Sequence, residues 1–248
     1  MPDLAPLTWL LAIEGAGLCA LPLAVRVFRR LDDRGYGLTK PLGLALVGYL
    51  CWALASLGLL DTVQPTVLFL AALVAGALWW WNGREALAVL RAQRRLVLVS
   101  EGVFLAGYVL AVVVRAYGPA INGQEKFMDL AFFHAFYRAD RLPAEDPWMS
   151  GFGMPYYHFG YVIWAMLARL AGVEVTVGYN LAMAHVLAAT ATGAFCLVYG
   201  AVAIATRRLP DDTAVRAVAA SADAASETFS PDEVADRGAG GVGLVPLA

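Results

Sequence analysis

Three cysteines, Cys19, Cys51 and Cys196, are all that this chain contains. Each lies inside an apolar run, and their spacing fits no metal motif, so neither a disulfide framework nor a metal module is expected. They read as small buried hydrophobes. Charge is scarce too: 15% of the residues are Asp, Glu, Lys or Arg against 60% hydrophobic, and the mean hydropathy is +0.64. A soluble domain of this length could not hide so much apolar side chain. The net charge of -2 says little, because in a membrane protein the placement of charge matters more than its sum. No internal repeat is visible, and no nucleic-acid partner is expected.

What the sequence does have is long apolar runs. A spanning helix needs roughly 20 mostly apolar residues, since the hydrocarbon core is about 30 Å thick. Six stretches qualify as candidate spans: 7–28, 42–60, 63–81, 96–115, 157–171 and 178–205. The fold class is therefore an all-α polytopic membrane protein, with a first three-helix segment over 1–95 and a second unit over 96–205. The first run lacks a basic start and a small-residue cleavage site, so it reads as a retained helix rather than a signal peptide. "DTVQP" reads as a tight turn between the second and third spans. The fifth span is short and recruits Tyr156 and Tyr157 as interfacial residues. Residues 206–248 are rich in Ala, Asp, Ser, Gly and Val, hold no aromatic but Phe229, and read as a disordered tail.

Arg26, Arg29, Arg30, Arg34 and Lys40 flank the first link, and Arg84, Arg91, Arg94 and Arg95 fill the third. These nine are half of the 18 Lys and Arg, which predicts both links cytoplasmic. The N-terminus and the segment 116–156 are then extracytoplasmic, and Trp79, Trp80 and Trp81 form an aromatic belt on the inner side. Arg207 and Arg208 disagree, because six crossings leave them outside.

Within 122–140, "NGQEKFMDLAFFHAFYRAD", Asn122 and Glu125 have capping-box spacing. Leu130, Phe133 and Tyr137 share one helical face, with Phe127, Ala131 and His134 beside it, as in a helix lying flat on a membrane. Glu125 and Asp129 stand four apart on one face. The pair suits a cation or proton transfer, although Glu125 also suits a plain helix start. The next stretch, "DPWMSGFGMPYYHFG" (146–160), packs an acid and several aromatics into a re-entry loop. Asp146 reads as a turn residue or a site acid, Trp148, Tyr156 and Tyr157 as interfacial anchors, and His158 as a group able to exchange a proton near neutral pH. His134 and His185 read as packing residues. Glu14 and Glu101 lie inside spans, where an acid is a functional candidate by default. Their positions predict different depths, so no pairing is expected. Arg115 closes the fourth span, either snorkelling to the interface or contacting a lipid phosphate.

Taken in order, "EKFMD", "DPWMSG", "PYYHFG" and "YNLAMAH" resemble the Chlor_Arch_YYY family of uncharacterised integral membrane proteins, over about residues 96–205. The third Tyr of that family's Tyr-Tyr-Tyr-x-Gly motif is His158 here. Family members are longer, so the chain resembles their N-terminal part. The arrangement is similar in turn to the glycosyltransferase C superfamily, whose enzymes take sugar from a polyprenyl-phosphate carrier at the outer face. That resemblance implies Asp129 as general base, with Glu125 assisting or binding Mg²⁺ or Mn²⁺ beside it. It implies Asp146 and His158 on the acceptor side, Arg115 or Arg138 on the lipid phosphate, and Trp148, Tyr156 and Tyr157 against sugar faces. The alternatives from the residues themselves are a transporter using Glu14 and Glu101, and a non-catalytic or truncated membrane protein.

Overall fold

The computed structural model describes residues 4–154, 157–208 and 221. The chain divides into two units, 1–201 and 202–248, and the contacts that follow belong to the first. Tyr156 and nearly all of the tail expected over 206–248 lie outside the described residues. Seven α-helices follow one another: α1 (Ala5–Val27), α2 (Thr39–Ser56), α3 (Gln64–Ala92), α4 (Arg94–Tyr117), α5 (Lys126–Arg138), α6 (His158–Ala171) and α7 (Val175–Arg208). Among the described residues there is no strand, only an isolated bridge between Glu145 and Gly153.

Five of these helices, α1, α2, α3, α4 and α7, are long and apolar enough to cross a membrane. Their outward faces are hydrocarbon: Leu98 and Val114 on α4 and Leu197 and Val198 on α7 are all more than half exposed. Exposed apolar surface on that scale is stable in lipid, not in water. The protein is therefore a multi-pass membrane protein.

The span expected at 157–171 is corrected. α6 has 14 residues, or about 21 Å at 1.5 Å per residue, short of the ~30 Å required. Left-handed residues bound it at both ends, Tyr157 (φ +45°) and Gly172 (φ +64°). Both ends also lie toward the far ends of the helices from the arginine-rich links. The His158 ring sits 5.8 Å from that of Trp52, in the last turn of α2, and Arg169 donates to the carbonyl of Thr62 in the α2–α3 link. α6 thus enters and leaves on one side.

The direction of α7 follows from its pairing with α4. Arg115 meets Asn180, Gly107 lies against Ala188, and Ser100 lies 3.7 Å from Cys196. Those pairs run antiparallel. α4 starts at the arginine-rich side, so α7 runs back toward it.

Within the bundle, close backbone approach joins α1 to α2. A Cβ on Gly43 would stand 1.9 Å from the carbonyl oxygen of Ala16. The α1–α3 contact grows from Pro22. Proline has no N–H to give to the carbonyl of Leu18 four residues back. The indole of Trp79 donates to that oxygen at 2.9 Å instead. The Asn82 amide donates to Pro22 O at 3.0 Å, and Asn82 itself is the non-helical residue at which α3 kinks. Of the expected aromatic belt, Trp80 is 94% exposed, whereas Trp79 belongs to this contact.

Candidate functional site

The α2–α3 link, α5, α6, the start of α7 and the end of α4 meet at one face, opposite the arginine-rich links. α5 begins at Lys126, with Glu125 in the N-cap position and no side-chain cap bond. The capping box expected from Asn122 therefore does not form. The buried stripe of α5 is Phe132, Phe133 and Phe136, and Phe127 is exposed. The expected face was rotated because Tyr161 and Trp148 pack on Phe132 and draw that side inward.

Asp129 is the acid that this packing holds. The Tyr161 hydroxyl donates to its Oδ1 at 2.6 Å, and the Tyr179 hydroxyl lies 3.4 Å from its Oδ2. Three helices thus meet on one carboxylate. One residue on, Leu130 lines a groove of about 510 Å³ shared with Val112, Arg115, Ile121, Asn180 and Leu181. Arg115 Nε donates to Asn180 Oδ1 at 2.8 Å, with Nη2 on the same oxygen. The Asn180 amide donates to Pro119 O at 3.2 Å and Thr176 O at 3.3 Å. Arg115 is held by a neutral amide, and among the described residues it makes no ion pair. The groove is apolar along its length with a fixed guanidinium on its wall, a shape suited to an anionic amphiphile.

The other sequence candidates do not join Asp129. His134 and Arg138 project from a different face of α5, five and nine residues on. With Glu145, Asp146 and Ser150 they line a separate cavity of about 580 Å³. Asp146 serves its own turn, its Oδ1 accepting from the N–H groups of Trp148 at 2.8 Å and Met149 at 3.1 Å. Burial, and next the charge of Arg138, lower the pKa of His134 below the usual imidazole value. The Gly151 N–H and then the Ser150 hydroxyl hold the Glu145 carboxyl below its usual range. Trp148 is 61% exposed and Tyr157 67%, while His158 faces Trp52. Glu125 is exposed.

Because Glu145 is held low in the folded protein, its contribution is present above the unfolded carboxylate pKa and is lost as pH falls through the folded one. Protection of the Gly151 amide, corrected for intrinsic exchange, is expected to drop on acidification below pH ~4 and at neutral pH in Glu145→Gln. Hydrogen exchange read by mass spectrometry checks it, and equal protection in both proteins at both pH values contradicts it.

The donor set near Asp129 does not complete a divalent cation's shell. Two carboxylates are in question, and Asp129 already has both oxygens facing hydroxyls. Among the described residues no group of three or more His, Cys, Asp and Glu is placed to hold a metal ion.

A second polar cluster overturns the separation expected for Glu14 and Glu101. The Lys40 ammonium lies 3.3 Å from Glu14 Oε2 and pairs with Glu101 Oε1. The Tyr36 hydroxyl donates to the same Glu101 oxygen at 2.7 Å. Lys40 counts in the sequence as one more link charge, so nothing there marks it as the bridge. Tyr179 and Asn180 sit within "YNLAMAH", but a motif alone does not say which acid they serve. Tyr161, two residues beyond "PYYHF", carries no signal beyond being aromatic.

No curated protein and no solved structure matches the chain. A family model described as an uncharacterised membrane protein, DUF2298, matches residues 46–230. That match takes in the second half of α2 and all of α3 to α7, with both Asp129 and the groove, and the chain belongs to the DUF2298 family of membrane proteins.

Proposed function

We propose that this protein transfers a sugar from a lipid-phosphate donor in the manner of glycosyltransferase C enzymes, with Asp129 as the general base. The observation that carries this reading is a carboxylate fixed by two tyrosine hydroxyls beside an apolar groove bearing Arg115. The groove takes the hydrocarbon of the carrier, and the Arg115 guanidinium takes its phosphate. In this reading the membrane is the cell membrane, and the N-terminus and the loop 116–156 are extracytoplasmic. Arg138, Asp146, Trp148, Tyr156, Tyr157 and His158 then belong to acceptor binding or membrane anchoring rather than to the base.

The chemistry asks little of Asp129 beyond position. A carboxylate has about four lone-pair sites, and two face tyrosine hydroxyls. The remaining sites accept the acceptor's O–H. As that proton passes to Asp129, the acceptor oxygen bonds to the sugar's anomeric carbon. The bond from that carbon to the phosphate oxygen breaks, leaving the lipid phosphate paired with Arg115. Tyr161 and Tyr179 keep the carboxylate aimed while its charge changes.

Purified protein in liposomes containing a polyprenyl-phosphate sugar tests the proposal. Asp129→Asn keeps the shape and the tyrosine contacts but removes the base, and transfer is expected to fall about 10²–10⁴-fold. Undiminished transfer in the variant removes Asp129 from the mechanism. Absence of transfer by the unaltered protein favours a non-catalytic role.

A further inference from the structure

We propose that Glu14, Lys40 and Glu101 form a proton-binding site inside the helix bundle, independent of the loop-face reaction, with the proton carried by Glu14. The three side chains come from three helices, α1, α2 and α4, and meet at one ammonium group. The Glu14 and Glu101 side chains are 31% and 20% exposed, and that of Lys40 is 7% exposed.

Its direction is informative. Lys40 opens α2 at the arginine-rich end, where a long cation ordinarily turns outward to the interface. Here its Cγ packs against Gly17, where an added Cβ would stand 3.0 Å away. The ammonium reaches Glu14, three residues deeper along α1. The Nζ also lies 4.6 Å above the Phe104 ring. The lysine has turned away from water toward two acids and an aromatic face.

Charge then sets the stoichiometry. Two carboxylates and one ammonium sum to minus one, and an unbalanced charge buried among spanning helices is strongly disfavoured. Among the described residues, the other titratable groups near the triad do not supply the missing positive charge. Tyr36 donates a neutral hydrogen bond. Asp33 is acidic and occupied with the Gly35 and Gly37 N–H groups. Cys196, from α7, is a thiol. His185, also from α7, is 3% exposed between the rings of Phe104 and Trp164, and among the described residues its Nδ1 has no partner. A charge placed on it would be uncompensated and would face Lys40. Among the described residues, α3 and α6 bring no charged side chain to the triad.

The vacant acceptor is Glu14 Oε1, buried and, among the described residues, without a hydrogen-bond partner. Glu14 Oε2 faces Lys40, and Glu101 Oε1 already accepts from both Lys40 and Tyr36. A metal ion would need several further oxygens, and Lys40 fills the space between the acids. A proton needs one atom. Uptake is a single transfer: hydronium gives a proton to Glu14 Oε1, one O–H bond forms, and water leaves. The triad then stands neutral, as a carboxylic acid beside a Lys40–Glu101 pair, and release of the proton restores the charge. Such a site couples protonation to the contact of three spanning helices.

Infrared difference spectroscopy on the full chain in lipid nanodiscs tests this through the carbonyl stretch of a protonated carboxyl group. At neutral pH the unaltered protein is expected to show such a band, and Glu14→Gln is expected to lose it. Glu101→Gln is expected to lose it too, because the remaining carboxylate already balances Lys40. Lys40→Met moves the other way: both acids must then be neutral, and the band roughly doubles. If Glu14→Gln folds poorly, the opposite responses of the other two variants still decide. No band at neutral pH that responds to any of the three overturns the proposal. So does a band absent in potassium buffer whose place is taken by sodium-dependent thermal stabilisation, which would make the site one for a metal cation.

Discussion

Gly43→Ala is expected to destabilise the bundle by roughly 3 kcal/mol or more, at or beyond the upper end of ordinary overpacking costs. The added methyl would lie 1.9 Å from the Ala16 carbonyl oxygen and 2.4 Å from its carbon. Both are main-chain atoms of a neighbouring helix, so no rotamer change relieves the clash. The only relief is separation of α1 and α2, and that would open the Gly17–Lys40 contact and stretch the Lys40–Glu14 pair. Small residues at helix crossings do this work in membranes because lipid tails compete well with larger apolar side chains for the same surface. Gly102→Ala in α4 is the matched control. Among the described residues nothing lies within 4 Å of its added Cβ, and Ala is the better helix former by roughly 0.5–1 kcal/mol. Thermal unfolding of the two variants in one detergent should place them on opposite sides of the unaltered protein. Equal stabilities would mean that α1 and α2 do not approach as closely as their backbones indicate.

The sequence made the spans legible because hydrocarbon thickness imposes a length that composition alone can meet or miss. α1, α2, α4 and α7 appear within a few residues of their expected bounds, whereas α3, expected to end at 81, runs on past the kink at Asn82 to Ala92. α6 misled the count because its apolar content is that of a span while its ends are set by backbone conformation. Tyr157 at φ +45° is the sort of break that a non-glycine residue does not announce. Asp129 stood out by its position on α5, yet the hydroxyls that aim it come from residues 32 and 50 positions away. Glu14 and Glu101 read as separate depths because span ends fix depth only for the backbone. A lysine stem several bonds long joins levels that the backbone keeps apart. Arg138 and Asp146, which the resemblance placed near Asp129, line a separate cavity, Arg138 from another face of α5 and Asp146 from the loop that follows it.

Arg169→Met is expected to cost about 3–5 kcal/mol, from two carbonyls left without donors, and to release the segment that carries Asp129. Arg169 is 9% exposed, an unusual place for a guanidinium, and what it binds is main chain. It donates to the carbonyls of Thr62, Tyr137 at 2.6 Å and Ala139 at 2.9 Å. Its guanidinium carbon lies 5.6 Å from the centroid of the Tyr137 ring, and the Asp140 carboxylate is 3.9 Å away. The α2–α3 link, the end of α5 and the end of α6 converge on this one side chain. Thr62 closes the same knot, with its N–H on Asp140 O at 2.7 Å and its hydroxyl on Ala139 O at 2.6 Å. Ala139 therefore keeps a donor when Arg169 is removed, whereas the Tyr137 and Thr62 carbonyls lose theirs. A buried acceptor left without a donor costs roughly 1–3 kcal/mol, which accounts for most of the expected loss. Arg169→Lys should recover only part of it, because one ammonium cannot span carbonyls that a planar fork reaches together. The readout that separates anchoring from general instability is limited proteolysis. Cleavage within 139–154 should rise in Arg169→Met at temperatures where α1 to α4 remain protected. Melting of the whole bundle in one step, with no early cleavage of that segment, would show that Arg169 supports the core and not the placement of α5.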